Sequence, residues 1–207
     1  MERPSPASAP WPRHTPLFRL TRAAVFVLLR ALFRFRVYGL EHVPAGPAII
    51  VANHPSAVDP LFIGAAVPER LLFVAAEEFL FMRGFVGWAM RSYGCIAVRR
   101  GGIDMSAIRE SLRALAAGRK VALFPEGGIS PQPRPPQRGA ALIAARAGAP
   151  IVPAAIRGTE SVFPLGARFP RLGRVTLRFG PNITPAGVEA EAAESAVASA
   201  MAWVHGA

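Results

Sequence analysis

Cysteine, lysine and long apolar runs are scarce in this chain of 207 residues. The single cysteine, Cys95, excludes an internal disulfide and any multi-cysteine zinc site. Because Cys95 lies in an apolar, strand-like run, we interpret it as core filler rather than a nucleophile. The longest stretch without Asp, Glu, Lys or Arg runs from His42 to Val58 and contains three prolines. A spanning helix needs roughly 20 mainly apolar residues, so no transmembrane helix is predicted.

Several catalytic signatures are also missing. No serine lies in a Gly-Xaa-Ser-Xaa-Gly elbow, which argues against a serine hydrolase of that type. The only lysine, Lys120, does not belong to a phosphate-binding loop, and there is no His-Glu-Xaa2-His zinc motif. We therefore predict neither a metal site nor a bound cofactor.

Acidic residues are few, and arginine supplies 23 of the 24 basic residues behind the net charge of +11. Residues 1–40 hold seven arginines and one acid. A basic end of this kind favours anionic partners, either a phospholipid surface or nucleic acid. No nucleic-acid motif is present and aromatic residues do not alternate with basic ones, so we expect no nucleic-acid partner.

Residues 1–14 are predicted to be a flexible lead and residues 15–36 an amphipathic helix. At 100° per residue, Arg19, Arg22, Arg30 and Arg34 share an arc of about 120°. The apolar residues on the opposite side are Leu17, Leu20, Ala24, Val27, Leu28 and Leu32. Such a helix can lie in a bilayer interface with its arginines towards the head groups. The alternative is a helix that packs on the domain with a solvated arginine face.

The rest of the chain alternates apolar runs with helical patterns, which predicts a single α/β catalytic domain over residues 37–207. We expect a mixed, largely parallel sheet flanked by helices, with the ligand site at the carboxyl ends of strands. The predicted strands are Ala48–Ala52, Leu71–Ala76, Cys95–Val98, Val121–Phe124, Ile151–Ile156 and Val175–Phe179, and the predicted helices cover 60–67, 79–90, 103–117, 138–147 and 186–204.

His54 and Asp59 follow the first of these strands. A strand that ends at His54 and a helix that starts near Asp59, helped by Pro60, would bring the two side chains together. A carboxylate that orients an imidazole makes it a better base towards an alcohol. Alternatively, Asp59 only caps the helix and His54 only ends the strand.

A second group of polar residues is expected at the same sheet edge. Phe124-Pro125-Glu126-Gly127 follows another strand, although Pro-Glu-Gly is also a common turn. Arg99 and Arg100 end a strand before two glycines and could grip a phosphate, or simply form a basic strand end. The proline-rich residues 128–137 are expected to border the site.

Four blocks in this order resemble the glycerolipid (lysophospholipid) acyltransferase family. They are Asn53-His54-Xaa4-Asp59-Pro60, Gly94-Xaa-Ile96-Xaa-Val98-Xaa-Arg100, Phe124-Pro125-Glu126-Gly127 and Ile151-Val152-Pro153. The similarity covers about residues 35–180 and is nearest to bacterial 1-acylglycerol-3-phosphate acyltransferases.

The resemblance implies a role for each matching residue. His54 would be the general base and Asp59 would hold its imidazole in the useful tautomer. Substrate binding would fall to Asn53, Ser56, Arg99, Arg100, Glu126 and Gly127, and Ile151, Val152 and Pro153 would line the acyl-donor side. The donor would be acyl-CoA or acyl-carrier protein, the acceptor a lysophospholipid, and the location the cytoplasmic face of the cell membrane.

The chain departs from the family pattern after Gly127. Many members continue with Gly-Thr-Arg-Ser, whereas this chain has Gly128, Ile129 and Ser130. An arginine that could touch phosphate is therefore missing at Ile129. The acceptor could be 1-acylglycerol-3-phosphate or a lysolipid with another head group, such as a lyso-amino-acid lipid. A non-catalytic basic membrane-binding module remains the alternative to an enzyme.

Overall fold

The computed structural model describes residues 15–80, 94–99, 102–130, 132–167, 169–185 and 189–207. It confirms an α/β fold in which helices flank a mostly parallel sheet, preceded by an amino-terminal helix. The strands of the described ranges are β1 (Arg36–Tyr38), β2 (Ala48–Ala52), β3 (Leu71–Ala76), β4 (Ile96–Val98), β5 (Lys120–Leu123), β6 (Ile151–Arg157) and β7 (Thr176–Phe179). The helices are α1 (Pro16–Phe33), α2 (Asp59–Ala66), α3 (Glu77–Leu80), α4 (Met105–Ala116), α5 (Arg138–Ala147), α6 (Thr159–Val162) and α7 (Ala190–Gly206), with a short 3₁₀ turn at Leu40–His42.

The strand order is β1-β7-β6-β2-β5-β3-β4. Neighbouring strands are parallel except for β6 and β7, which pair antiparallel. β2 lies at the centre, between β6 and β5, and all five of its residues are buried. A continuous apolar run is what a strand covered on both faces requires.

Two hydrophobic layers cover the two faces of the sheet. Alternate residues of β2 point to opposite faces, so Ile49 and Val51 join one layer and Ile50 joins the other. The first layer contains buried residues of α4, α5 and α7, and the second those of α1 and α2. The carboxyl end of β2 therefore opens between two well-packed layers.

Most predicted elements are confirmed to within a few residues, but the first helix is shorter than expected. Arg34 adopts a left-handed conformation with a φ of +45°, which ends α1 at Phe33. Arg36 then begins β1, which pairs with β7 and was missed because its residues continue the helical pattern. The short α6 was also missed. The predicted lead over 1–14 and most of the predicted helix over 79–90 lie outside the described residues. The described residues just before that gap form α3 (Glu77–Leu80).

α1 turns its leucine-rich side outward. Leu29 and Phe33 are buried against the domain, and the Arg22 guanidinium donates a hydrogen bond of 2.7 Å to the carbonyl of Ala65 on α2. The exposed apolar side chains of the helix include Leu17, Leu20, Ala24, Val27, Leu28 and Leu32. α1 thus packs on α2 while the apolar arc identified from the sequence stays uncovered. Within the described residues, no helix combines the length and the apolar character needed to cross a bilayer.

Candidate active site

The end of β2 and the start of α2 bring His54 and Asp59 into contact. β2 ends at Ala52, the chain turns, and Pro60 occupies the first turn of α2. Nδ1 of His54 lies 2.8 Å from Oδ2 of Asp59. The same carboxylate oxygen accepts a hydrogen bond of 2.8 Å from the backbone N–H of Ser56. The tight turn therefore gives Asp59 two donors, one of them the imidazole.

Asp59 is fully buried, and burial acts against its charged form. Burial raises the pKa of the Asp59 carboxyl above its usual value of 3.8, while the hydrogen bond and the charge of His54 act in the opposite direction. Val58, not Asp59, occupies the cap position of α2. The alternative in which Asp59 serves only as a helix cap is therefore wrong. With Nδ1 as the donor to a carboxylate, Nε2 of His54 keeps a lone pair that can accept a proton.

Phe124, at the end of β5, fixes the plane of the imidazole. Its ring stacks on His54 with 4.0 Å between centroids and 15° between planes. The carbonyl of His54 also accepts a 2.8 Å hydrogen bond from the N–H of Ser130. Sequence reasoning gave Phe124 no role at the site. The parallel pairing of β2 with β5 was the signal that would have placed it beside His54.

A cavity of about 660 Å³ opens at His54. Its wall is mostly apolar and comes from β3, β4, α4 and α5, together with the loop after β5. The apolar lining residues include Phe73, Val98, Ile103, Ile108, Leu123 and Ile143. Its polar lining includes Arg99, Gln137 and Arg138. An imidazole base at the edge of an apolar cavity of this size suits chemistry on a small polar group attached to a long apolar chain.

Comparison with known proteins agrees with this geometry. The family model described as Acyltransferase matches residues 34–157, which contain both patches of site residues. The chain belongs to the Acyltransferase family. As the sequence predicted, it is an O-acyltransferase.

The relatives of this acyltransferase include named enzymes of lipid synthesis. A 1-acyl-sn-glycerol-3-phosphate acyltransferase from Bacillus subtilis is 29% identical over 147 residues, which cover 70% of this chain and 73% of the relative. A chloroplastic enzyme of the same name from Brassica napus is 29% identical over 143 residues, covering 65% of this chain and 40% of that one. Among solved structures, the 1-acyl-sn-glycerophosphate acyltransferase PlsC from Thermotoga maritima superposes with a TM-score of 0.67 at 25% identity, over 94% of this chain and 85% of that one.

In this acyltransferase, Asn53 and Ser56 hold the loop that carries His54 and do not line the cavity. The Asn53 amide donates to the carbonyl of Ile156 and accepts from its N–H, at 2.8 and 2.9 Å. The buried Ser56 hydroxyl donates to the carbonyl of Phe163 at 2.8 Å. These groups are already occupied by backbone partners, and their contact with substrate stays a prediction.

Glu126 and Gly127, which the sequence grouped together, point to different surroundings. The Glu126 carboxylate is buried, with Oε1 3.3 Å from Nε2 of His205 on α7. Burial raises the pKa of Glu126, and the charge of His205 opposes that shift. Gly127 lines the cavity, whereas Glu126 does not. Glu126 thus lies between His205 of α7 and the backbone of His54, and its contact with substrate stays a prediction.

The remaining predicted residues divide in the same way. Arg99 lines the cavity, and its N–H donates to Asp104 at 2.9 Å. Arg100 lies outside the described residues. Ile151, Val152 and Pro153 are fully enclosed within β6 and do not line the cavity, because β6 is covered on both faces. Their predicted place on the acyl-donor side is corrected to a place in the core.

Cys95 and the possible metal ligands of the described residues do not form a second reactive centre. Desolvation raises the pKa of the Cys95 thiol to about 12, so it stays protonated and unreactive near neutral pH. Within the described residues, no three His, Cys, Asp or Glu side chains come together as metal ligands.

Proposed function

We propose that this enzyme transfers a fatty acyl group from a thioester to the hydroxyl of a lysophospholipid, with His54 as the general base. The observation that carries the proposal is the His54–Asp59 contact of 2.8 Å at the wall of an apolar cavity. Asp59 accepts a hydrogen bond from the Nδ1–H of His54, so Nε2 is the basic atom of the ring. Phe124 keeps the ring from turning away.

The reaction requires one proton transfer in each direction. Nε2 of His54 takes the hydroxyl proton as the lipid oxygen attacks the thioester carbonyl. The tetrahedral intermediate collapses, the C–S bond breaks, and the imidazolium returns its proton to the leaving thiolate. Acyl transfer is then direct, without an acyl-enzyme, and the enzyme is regenerated unchanged. General-base assistance of this kind contributes typically about 10²–10⁴-fold in rate.

The cavity suggests where the acyl chain lies. A fatty chain that lies against the apolar lining from β3, β4, α4 and α5 is removed from contact with water. This replaces the acyl-donor side expected along β6. We propose acyl-CoA or acyl-carrier protein as the co-substrate, with no resident cofactor.

The acceptor we favour is 1-acylglycerol-3-phosphate, giving phosphatidic acid. Arg99 and Arg138 both line the cavity, and a guanidinium group matches phosphate geometry well. The relatives named above carry this substrate in their names. A lysolipid with another head group is the second candidate, because Ile129 lines the cavity where many family members place an arginine.

The enzyme is proposed to work on an anionic membrane surface at the cytoplasmic face. The outward arc of leucines on α1 is flanked by the exposed Arg19, Arg30 and Arg34. Apolar side chains that enter the acyl boundary beside arginines that meet phosphate are the features of an interfacial helix.

The test is a thiol-release assay with acyl-CoA and a panel of lysolipids, followed by mass analysis of the products. The expected result is thiol release that depends on 1-acylglycerol-3-phosphate and yields phosphatidic acid. Activity restricted to neutral or amino-acid lysolipids would replace the proposed acceptor. Absence of thiol release with every acceptor and both donor types would overturn the proposed function.

A further inference from the structure

The 163–172 loop between α6 and β7, described at residues 163–167 and 169–172, displays the most exposed large apolar side chains of the described residues. Leu165, Phe169 and Leu172 are 84%, 80% and 79% exposed, which exceeds any leucine of α1. Single exposed apolar residues are ordinary on a protein surface, but three within eight residues of one loop need a reason.

Backbone hydrogen bonds give this loop a defined conformation. The N–H of Arg171 donates a 2.7 Å hydrogen bond to the carbonyl of Val162, which joins its two ends. Inside it, the N–H of Ala167 donates to the carbonyl of Pro164 at 3.0 Å, and Gly166 supplies a φ of +83° for the turn. Backbone hydrogen bonds therefore order a loop whose three large apolar side chains remain mostly exposed.

The surroundings of the loop tie it to the catalytic turn and to α1. Ser56, two residues after His54, donates its hydroxyl to the carbonyl of Phe163 at the start of the loop. Just after its end, the N–H of Val175 donates to the carbonyl of Phe33, the last residue of α1. Val162 and Phe33 also belong to the same hydrophobic layer. The loop therefore bridges the elements that carry the base and the proposed membrane helix.

Its charge identifies the occupant. The sequence has no Asp or Glu from residue 161 to residue 188, and Arg171 and Arg174 are exposed at the base of the loop. Leucine and phenylalanine at a tip with arginine behind them match the acyl boundary and the phosphate layer of an anionic bilayer. A protein partner would not require a wholly basic surround.

We propose that the 163–172 loop inserts Leu165, Phe169 and Leu172 into the interface of an anionic phospholipid bilayer as a second contact beside α1. This inference rests on the proposed function, in which the acceptor is a lysolipid of the membrane. Insertion of the loop would hold the turn that carries His54 at the level of the head groups, where the lysolipid hydroxyl lies. The loop thereby orients the catalytic turn as well as adding affinity.

Insertion can be read directly with an environment-sensitive dye. In a Cys95→Ala background, Leu165→Cys is labelled with the fluorophore NBD and mixed with vesicles of phosphatidylcholine and phosphatidylglycerol. NBD emission should rise and shift to the blue, and less so with phosphatidylcholine alone. Arg146→Cys, exposed on α5 in the opposite layer, is the matched control and should not respond. An unchanged Leu165 signal, or an equal response at residue 146, would overturn the proposal.

A second variant measures the contribution to binding. Leu165→Ser, Phe169→Ser and Leu172→Ser together should weaken partition to the same vesicles by roughly 10- to 100-fold, since each removes apolar area that enters the bilayer. The melting temperature should not change, because these side chains do not pack. Equal partition of variant and parent would contradict insertion, and a dye response to protein concentration without vesicles would assign the loop to a second copy of the chain. Neither measurement needs turnover, so a failed acyltransferase assay would leave this result readable.

Discussion

At the scale of single residues, Asp59 meets two opposing demands. Burial disfavours its charged form and raises its pKa, whereas orientation of His54 needs a hydrogen-bond acceptor at that point. The His54 ring and the N–H of Ser56 offset part of the desolvation cost. Burial of Asp59 therefore costs stability, and the orientation of His54 is what the buried acid provides.

Asp59→Asn separates these two demands. We expect kcat to fall by about 10²–10⁴-fold, because an amide that donates to Nδ1 would favour the wrong imidazole tautomer. A raised folded-state pKa means that Asp59 contributes stability at pH values below its unfolded pKa and loses it as pH rises through the folded value. Asparagine has no charged form to desolvate and so does not lose stability as pH rises. At neutral pH the variant should therefore melt no lower than the parent. Near-parental kcat, or parallel losses of kcat and melting temperature, would argue for a purely structural Asp59.

Gly127 and Gly128 form a matched pair within the cavity wall. Gly127 has a φ of +74°, and an added Cβ there would collide with the side chain of Gln137. Gly128 has open space around the same position. Gly127→Ala should lower the free energy of unfolding by about 1–2 kcal/mol, the usual cost of a left-handed conformation for a residue with a Cβ. Gly128→Ala should change it little in a urea titration; equal effects of the two substitutions would refute the assignment.

At the scale of elements, α4 depends on Asp104 for its amino-terminal cap. Partial burial alone would raise the pKa of Asp104, but hydrogen bonds from Ser106 and from the N–H groups of Arg99, Ser106 and Ala107 outweigh it and lower the pKa to about 2. A lowered folded-state pKa contributes stability that is present above the usual 3.8 and is lost as pH falls through about 2.

Two substitutions at Asp104 separate the cap from the charge. Asp104→Ala should destabilise the protein by about 1 kcal/mol at neutral pH, the typical cost of removing a cap. Asp104→Asn should keep most of the cap but reduce the loss of stability between pH 4 and pH 2, as followed by thermal unfolding monitored by circular dichroism. If Asp104→Asn destabilised as much as Asp104→Ala at neutral pH, the cap would owe its effect to charge alone.

The outward arc of α1 makes a prediction for the whole helix. Leu20→Gln with Val27→Gln should weaken binding to anionic vesicles by roughly 10- to 100-fold, because both side chains would otherwise enter the acyl boundary. Ala23→Gln lies on the arginine side of the helix and serves as the control. Co-sedimentation with vesicles measures binding, and unchanged sedimentation of the double variant would place α1 outside the membrane contact.

At the scale of the whole molecule, the features that the sequence predicted are those set by residues close to one another in the chain. The apolar run of β2 and the proline after Asp59 define a strand and a helix start, so the spacing predicted that His54 and Asp59 could meet, although it left open that Asp59 only caps the helix. Phe124 and Glu126 depended instead on how β5 sits beside β2 and which way a turn faces. Glu126 turned towards His205, almost 80 residues away in the chain, and no local signal marks that partner.

The same limit explains the acyl-donor side. Ile151, Val152 and Pro153 look from the sequence like a surface next to the site, but the two hydrophobic layers cover β6 on both faces. The apolar cavity forms on the opposite half of the sheet, near β3 and β4. Strand order, which the sequence does not reveal, decided which apolar strand could meet a ligand.

The central claim is that an imidazole held by a buried carboxylate takes the proton of a lipid hydroxyl. The most direct measurement is the rate of thiol release from acyl-CoA by His54→Ala in the presence of 1-acylglycerol-3-phosphate, with vesicle binding measured on the same sample. We expect a loss of about 10²–10⁴-fold in kcat with vesicle binding unchanged. Thiol release at the parental rate by a folded, vesicle-bound His54→Ala enzyme would contradict the account.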